Sequence, residues 1–347
     1  MSHDLDERIV ATLQAHAGGD LDTEALVGRA RANGGRLKRR RRAVAVLGTA
    51  AVSAVVAVTT LFGPSLPAPG PATVALPAAP DRPGATARPE LVGTDATTLH
   101  FSAADLTAGA RYVTWAAGGG TESVEVRGDT MTALFVLART EEDLAGEQRT
   151  LGASGDPVTT YDVRVGDRPG TVWVDDLPGG AGLWTVRWQP ADGLWAKLES
   201  FAHDPEQAVA ATAKVRLDSA QRCATPFRLT DVPGGMRILH CSVTLGGRGF
   251  EEGALRVGDD EHWFSLRVER SHPDNPLADT SHGDLTAGPY QVERRSDGVL
   301  TTVVGSCSVG LIREGWGDWG DGVTEAEAIR LLAGYRQADN LDDAGSW

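Results

Sequence analysis

The chain has 347 residues, with 33 basic and 47 acidic side chains and a formal net charge of −14. That length leaves room for more than one structural unit, and the acidic balance argues against binding nucleic acid or other polyanions by bulk electrostatics. GxSxG, HExxH and P-loop patterns are absent, and no Cys/His spacing suits a metal. The expectation is therefore a non-enzymatic protein without cofactor.

Residues 1–42 read as a short helical head. Ser2 can cap a first helix, Leu5, Ile9, Val10 and Leu13 fall on one face of it, and Gly18 and Gly19 end it. A second short helix is expected over residues 23–32. Two such helices cannot bury a core alone. The Leu5, Ile9, Val10 and Leu13 stripe is thus a candidate docking surface for a cytoplasmic protein, with a loosely helical tail as the plainer alternative.

Arg36, Lys38 and Arg39 to Arg42 then precede twenty uncharged residues, 43–62. At about 1.5 Å per residue that run covers roughly 30 Å, the thickness of a bilayer core. The basic cluster on its N-terminal side predicts a single-pass transmembrane helix with the head in the cytoplasm and the rest outside. A signal peptide is the rival reading. Its apolar region is usually about 7–15 residues long behind a short basic start, whereas here the run is longer and the head is acidic as well as basic.

Residues 63–94 are expected to form an extended linker, because eight of the 18 prolines fall between 63 and 90. Beyond it the chain reads as a duplication: residues 95–218 and 219–347 each predict an antiparallel sheet followed by one helix. Arg111 parallels Arg237, Arg127-Gly128-Asp129 parallels Val257-Gly258-Asp259, and residues 133–139 parallel 263–269. Each half then ends in a helix with capping-box spacing, Asp204 with Gln207 and Thr324 with Glu327, the first with Pro205 at its opening position. The fold class expected is α+β.

Cys223, Cys241 and Cys307 all lie beyond residue 62, where disulfides can persist. Residues 223–241 are centred on the turn signal Val232-Pro233-Gly234-Gly235, so a hairpin would bring Cys223 and Cys241 together; Cys241 with Cys307 is the competing pair. Trp184, Val186 and Trp188 alternate onto one strand face, which is core packing rather than a sugar platform. The run from Gly315 to Glu325 lacks calcium-loop spacing, and His203 and His262 read as surface residues.

A basic cluster, an Ala/Val span, a Pro-rich stalk and an outer domain together resemble a group of actinobacterial single-pass membrane proteins, many of them anti-sigma or sigma-linked envelope regulators. Gly170-Thr171-Val172-Trp173 through Trp188 to Trp195, followed by the helix after Gln207, is similar to the end of small outer domains of unknown function on such proteins. The resemblance implies an extracytoplasmic sensing or regulatory role, with a sigma factor as the partner of the head. The head has no Cys, so that contact would use a zinc-free head. A binding module for cell-wall glycan or a secreted protein is the alternative.

Overall fold

Alternating apolar and polar residues, punctuated by glycine turns, fold more than half of the described residues after 110 into strands. The computed structural model describes residues 75–144, 159–176, 182–247, 249–259, 261–271, 283–296, 298–314 and 324–347. The first half supplies β1 (Thr98–Leu99), β2 (Arg111–Gly118), β3 (Thr121–Arg127), β4 (Thr132–Ala138), β5 (Thr160–Val165), β6 (Arg168–Asp176), β7 (Gly182–Ala191), β8 (Leu194–Ser200) and helix α1 (Pro205–Thr212). The second supplies β9 (Gln221–Arg222), β10 (Phe227–Leu229), β11 (Arg237–Gly246), β12 (Gly249–Gly258), β13 (Trp263–Arg270) and β14 (Leu285–Ala287). It continues with β15 (Tyr290–Arg294), β16 (Leu300–Val304), β17 (Cys307–Glu314), α2 (Glu325–Ala333) and β18 (Tyr335–Gln337).

Fourteen strands join in one antiparallel sheet, ordered β14-β15-β16-β17-β13-β12-β11-β2-β3-β4-β8-β7-β6-β5. Outward from the central β11–β2 pair, the two arms run in the same order: β2, β3, β4, β8, β7, β6, β5 and β11, β12, β13, β17, β16, β15, β14. At the seam Ala116 lies directly opposite Ser242, Trp115 opposite Val243 and Ala117 opposite Cys241. Two short ladders, β1 with β9 and β10 with β18, complete the strands among the described residues.

One face of the sheet carries the core. Trp115, Val124, Phe135, Leu198 and Val186 succeed one another across the first arm, and Leu255, Leu266, Leu311 and Leu300 across the second; all are at most 5% exposed. Buried residues of α1 (Ala208, Ala211) and of α2 (Ala328, Leu331, Leu332) belong to the same apolar cluster. Phe101 packs on Phe135 with ring centroids 4.7 Å apart, and the Trp115 indole N–H donates to Ala224 O at 2.9 Å. Burial of this apolar surface, at about 25 cal/mol per Å2, is what holds the layers together.

The α+β expectation is corrected by this arrangement. Residues Pro67–Trp347 form one compact unit, and the two halves share a single sheet instead of folding as separate sheet-plus-helix units. Among the described residues helix is minor: α1 has 8 residues and α2 has 9. The described part of the expected stalk, 75–94, belongs to the fold, since Leu76, Ala85 and Val92 are buried and Ala85 N–H donates to His100 O at 2.7 Å. The head, 1–42, and the span, 43–62, lie outside the described residues. Among those described, no helix is long and apolar enough to cross a membrane, and the transmembrane and single-pass expectation is corrected to that extent.

The duplication is also offset from its reading in sequence. Strand register matches Val124 with Leu255 and Phe135 with Leu266, one residue away from the alignment of 133–139 with 263–269. A one-residue slip exchanges the two faces of a strand, so the register and not the residue types identifies the true equivalents.

Candidate binding surface

Because side chains alternate, every second residue points to the face opposite the core; this second face is the more polar one, although Glu125, Thr185 and Trp173 on it are buried. Across the first arm one row runs Glu125, Leu134, Glu199, Thr185, Trp173, and the next runs Ser123, Val136, Lys197, Arg187, Thr171. Lys197 Nζ lies 2.8 Å from Glu199 Oε1, and Arg187 Nη2 lies 2.7 Å from Glu141 Oε1. The Arg187 guanidinium sits 5.9 Å from the centroid of the Trp195 ring. Across the second arm His240 faces Arg256, whose guanidinium is 5.0 Å from the Trp263 ring. Arg267 Nε is 3.0 Å from Glu252 Oε1 and 2.7 Å from Glu269 Oε1. Each arm therefore presents a guanidinium stacked on an indole, an arrangement that holds the charge in place while leaving apolar surface beside it.

Two groups on this face have displaced protonation equilibria. Burial pushes the Glu125 carboxyl above its ordinary value, with the Arg127 charge 4.0 Å away working the other way. Burial, reinforced by the Arg256 charge, lowers His240 to about 4, although its bond with the Gly118 backbone opposes the shift. His240 is thus neutral at physiological pH, beside a cation.

Of the residues singled out in the sequence, Cys223 and Cys241 are bonded to each other, with their Cα atoms 6.4 Å apart. They do not face across a hairpin. The intervening β10 pairs with β18, and β11 pairs with β12 and β2, so the bond ties the loop after β9 to the seam of the sheet. Cys307 is a buried free thiol, pushed up by burial. Leu5, Ile9, Val10 and Leu13 lie outside the described residues. The tryptophans divide by face: Trp115, Trp184 and Trp188 are on the core side, while Trp173, Trp195 and Trp263 are on the polar one. Among the described residues no group of three or more His, Cys, Asp or Glu could hold a metal ion.

Sequence reasoning missed a buried polar pair on the core side. Glu122 accepts from Gly93 N–H at 3.0 Å and from His100 N–H at 2.6 Å, and its Oε1 lies 2.5 Å from His100 Nδ1. Both side chains are fully buried, and His100 Nε2 has no hydrogen-bond partner among the described residues. The available signal was phase: Glu122 falls in step with Val124 and Val126, on the apolar face of β3.

No family model matches the chain, and no curated protein matches it. Among solved structures it is similar to "Crystal structure of MucB in complex with MucA(peri)", 14% identical over 66% of this chain and 93% of that one, with a TM-score of 0.21. "The complex structure of Pseudomonas aeruginosa MucA/MucB" gives the same figures. "Crystal structure of MucB" is 14% identical over 71% and 94%, with a TM-score of 0.16. Likeness at that level carries no argument about this chain.

Proposed function

We propose that this chain is a non-enzymatic binding module of the cell envelope, working outside the cytoplasm and holding a protein partner on the polar face of its sheet. The stacked pairs Arg187–Trp195 and Arg256–Trp263, one on each arm of that face, are the observation that carries the reading. Arg and Trp dominate the energetics of protein interfaces, because they combine large contact area with fixed donors. The Cys223–Cys241 bond supports an oxidising, extracytoplasmic setting. A sigma-linked regulatory use of that binding would depend on the head residues Leu5, Ile9, Val10 and Leu13. Their part is tested separately, by deleting residues 2–32 and following transcription.

Site-specific photo-crosslinking in living cells tests the surface. Reactive residues at Thr171 and Ser242, both on the polar face, should give a protein adduct of defined mass, and Arg187→Glu with Arg256→Glu should abolish it. Exposed Lys214, near α1, is the control. Adducts from Lys214 with none from the polar face would overturn the proposal.

A further inference from the structure

The two ends of the sheet are unlike. At one end β14 has three residues; at the other β5 has six and, among the described residues, pairs on one side only, with β6, while α2 packs near the first and α1 near the second. Thr160, Tyr161, Asp162 and Arg164 of β5 are exposed, and Tyr161, at 54%, is the exposed large apolar side chain among the described residues. Unpaired backbone N–H and C=O groups along such an edge are a template for another strand.

The strand itself specifies which one. Thr160-Tyr161-Asp162-Val163-Arg164-Val165 is self-complementary about Val163. An antiparallel copy centred there sets Val163 opposite Val163, Asp162 opposite Arg164 of the second copy, and Tyr161 opposite Val165 of the second copy. Alternation then places two ion pairs on the polar face and the apolar pairs on the core face, where Tyr161 loses its exposure. A shift of the pairing that keeps the faces aligned sets either Asp162 against Asp162 or Arg164 against Arg164. Arg164 donates to Asp167 O at 2.6 Å, which uses one of its five donors and leaves others for a carboxylate.

We propose that β5 pairs antiparallel with β5 of a second copy of this chain, centred on Val163, so that two sheets join edge to edge across a two-fold axis. A two-fold axis needs one self-complementary patch, which this strand is. The proposal stands apart from the polar-face reading and does not depend on it.

The test is a charge exchange on the full chain, read by sedimentation over a concentration series, with circular dichroism confirming the fold of each variant. Asp162→Arg alone and Arg164→Asp alone each replace two opposite-charge pairs by two like-charge pairs and should weaken dimerisation by about tenfold. The double exchange Asp162→Arg with Arg164→Asp should restore it. Val163→Cys should form a linked dimer on oxidation, while Thr286→Cys, on the other edge, should not. A monomer at every concentration, a double exchange as weak as the single ones, or equal linking through residue 286 would overturn the proposal.

Discussion

Glu122 in the first arm and Gly253 in the second stand at equivalent places in the repeated strand order. Glu122 lies opposite Ala117 and Gly253 opposite Val243, each one residue from the central pair Ala116–Ser242. In the first arm the position is a polar clamp, since Glu122 holds the backbone of Gly93 and His100 over the sheet. In the second it is room for rings: a Cβ at 253 would come within 2.9 Å of Phe227 and 3.1 Å of Phe250. One sheet skeleton thus ties down its covering chain in two ways, by directed bonds on one side and by aromatic packing on the other.

The clamp is the costlier feature to break. Glu122→Ala leaves two backbone donors and the His100 ring buried without their acceptor. Denaturant unfolding should show a loss of about 3–5 kcal/mol, the range for removing one partner of a buried pair. A loss under about 1 kcal/mol would mean that the covering chain is held by packing in both arms.

His240 and Thr114 are a second equivalent pair, and here the difference is one of pH. His240 titrates at about 4 in the folded protein against about 6.5 unfolded, so between those values the unfolded chain binds more protons. Stability contributed by the neutral ring is full above about pH 6.5 and lost as pH falls towards 4, by up to about 3 kcal/mol. His240→Asn should flatten that part of the stability–pH curve; an unchanged slope would refute the assignment.

The aromatic side of the comparison is sharpened by Gly253→Ala. The added methyl meets the Phe227 and Phe250 rings, and overpacking of that kind costs about 1–3 kcal/mol. Thermal unfolding should show it, and the second change Phe227→Leu should recover part of it. A neutral Gly253→Ala would show that the rings have space to give.

Local signals were legible in the sequence and long-range ones were not. Both helix starts follow from capping chemistry: Asp204 accepts from Gln207 N–H at 2.7 Å, and Thr324 accepts from Glu327 N–H at 3.2 Å. The alternation of Trp184, Val186 and Trp188 correctly placed them on the core face. Residues 223–241 misled, because a turn signal says nothing of a partner such as β18, about a hundred residues away. The prolines of 63–94 suggested a stalk, yet Ala85 and Val92 are buried in the same apolar cluster as the core face of the sheet. The polar surface was hidden for a related reason: Arg187 meets Trp195, and Arg256 meets Trp263, only once register is set.

The central claim is that both arms build one sheet and hence one polar face. Ala116 and Ser242, far apart in sequence and directly opposite at the seam, test it most directly. With cysteines at both positions, a short bifunctional alkylating reagent that reacts with thiols should link them within one chain, and peptide mapping should recover the 116–242 product with the Cys223–Cys241 bond intact. Efficient modification of each cysteine without any link between them would contradict the single sheet.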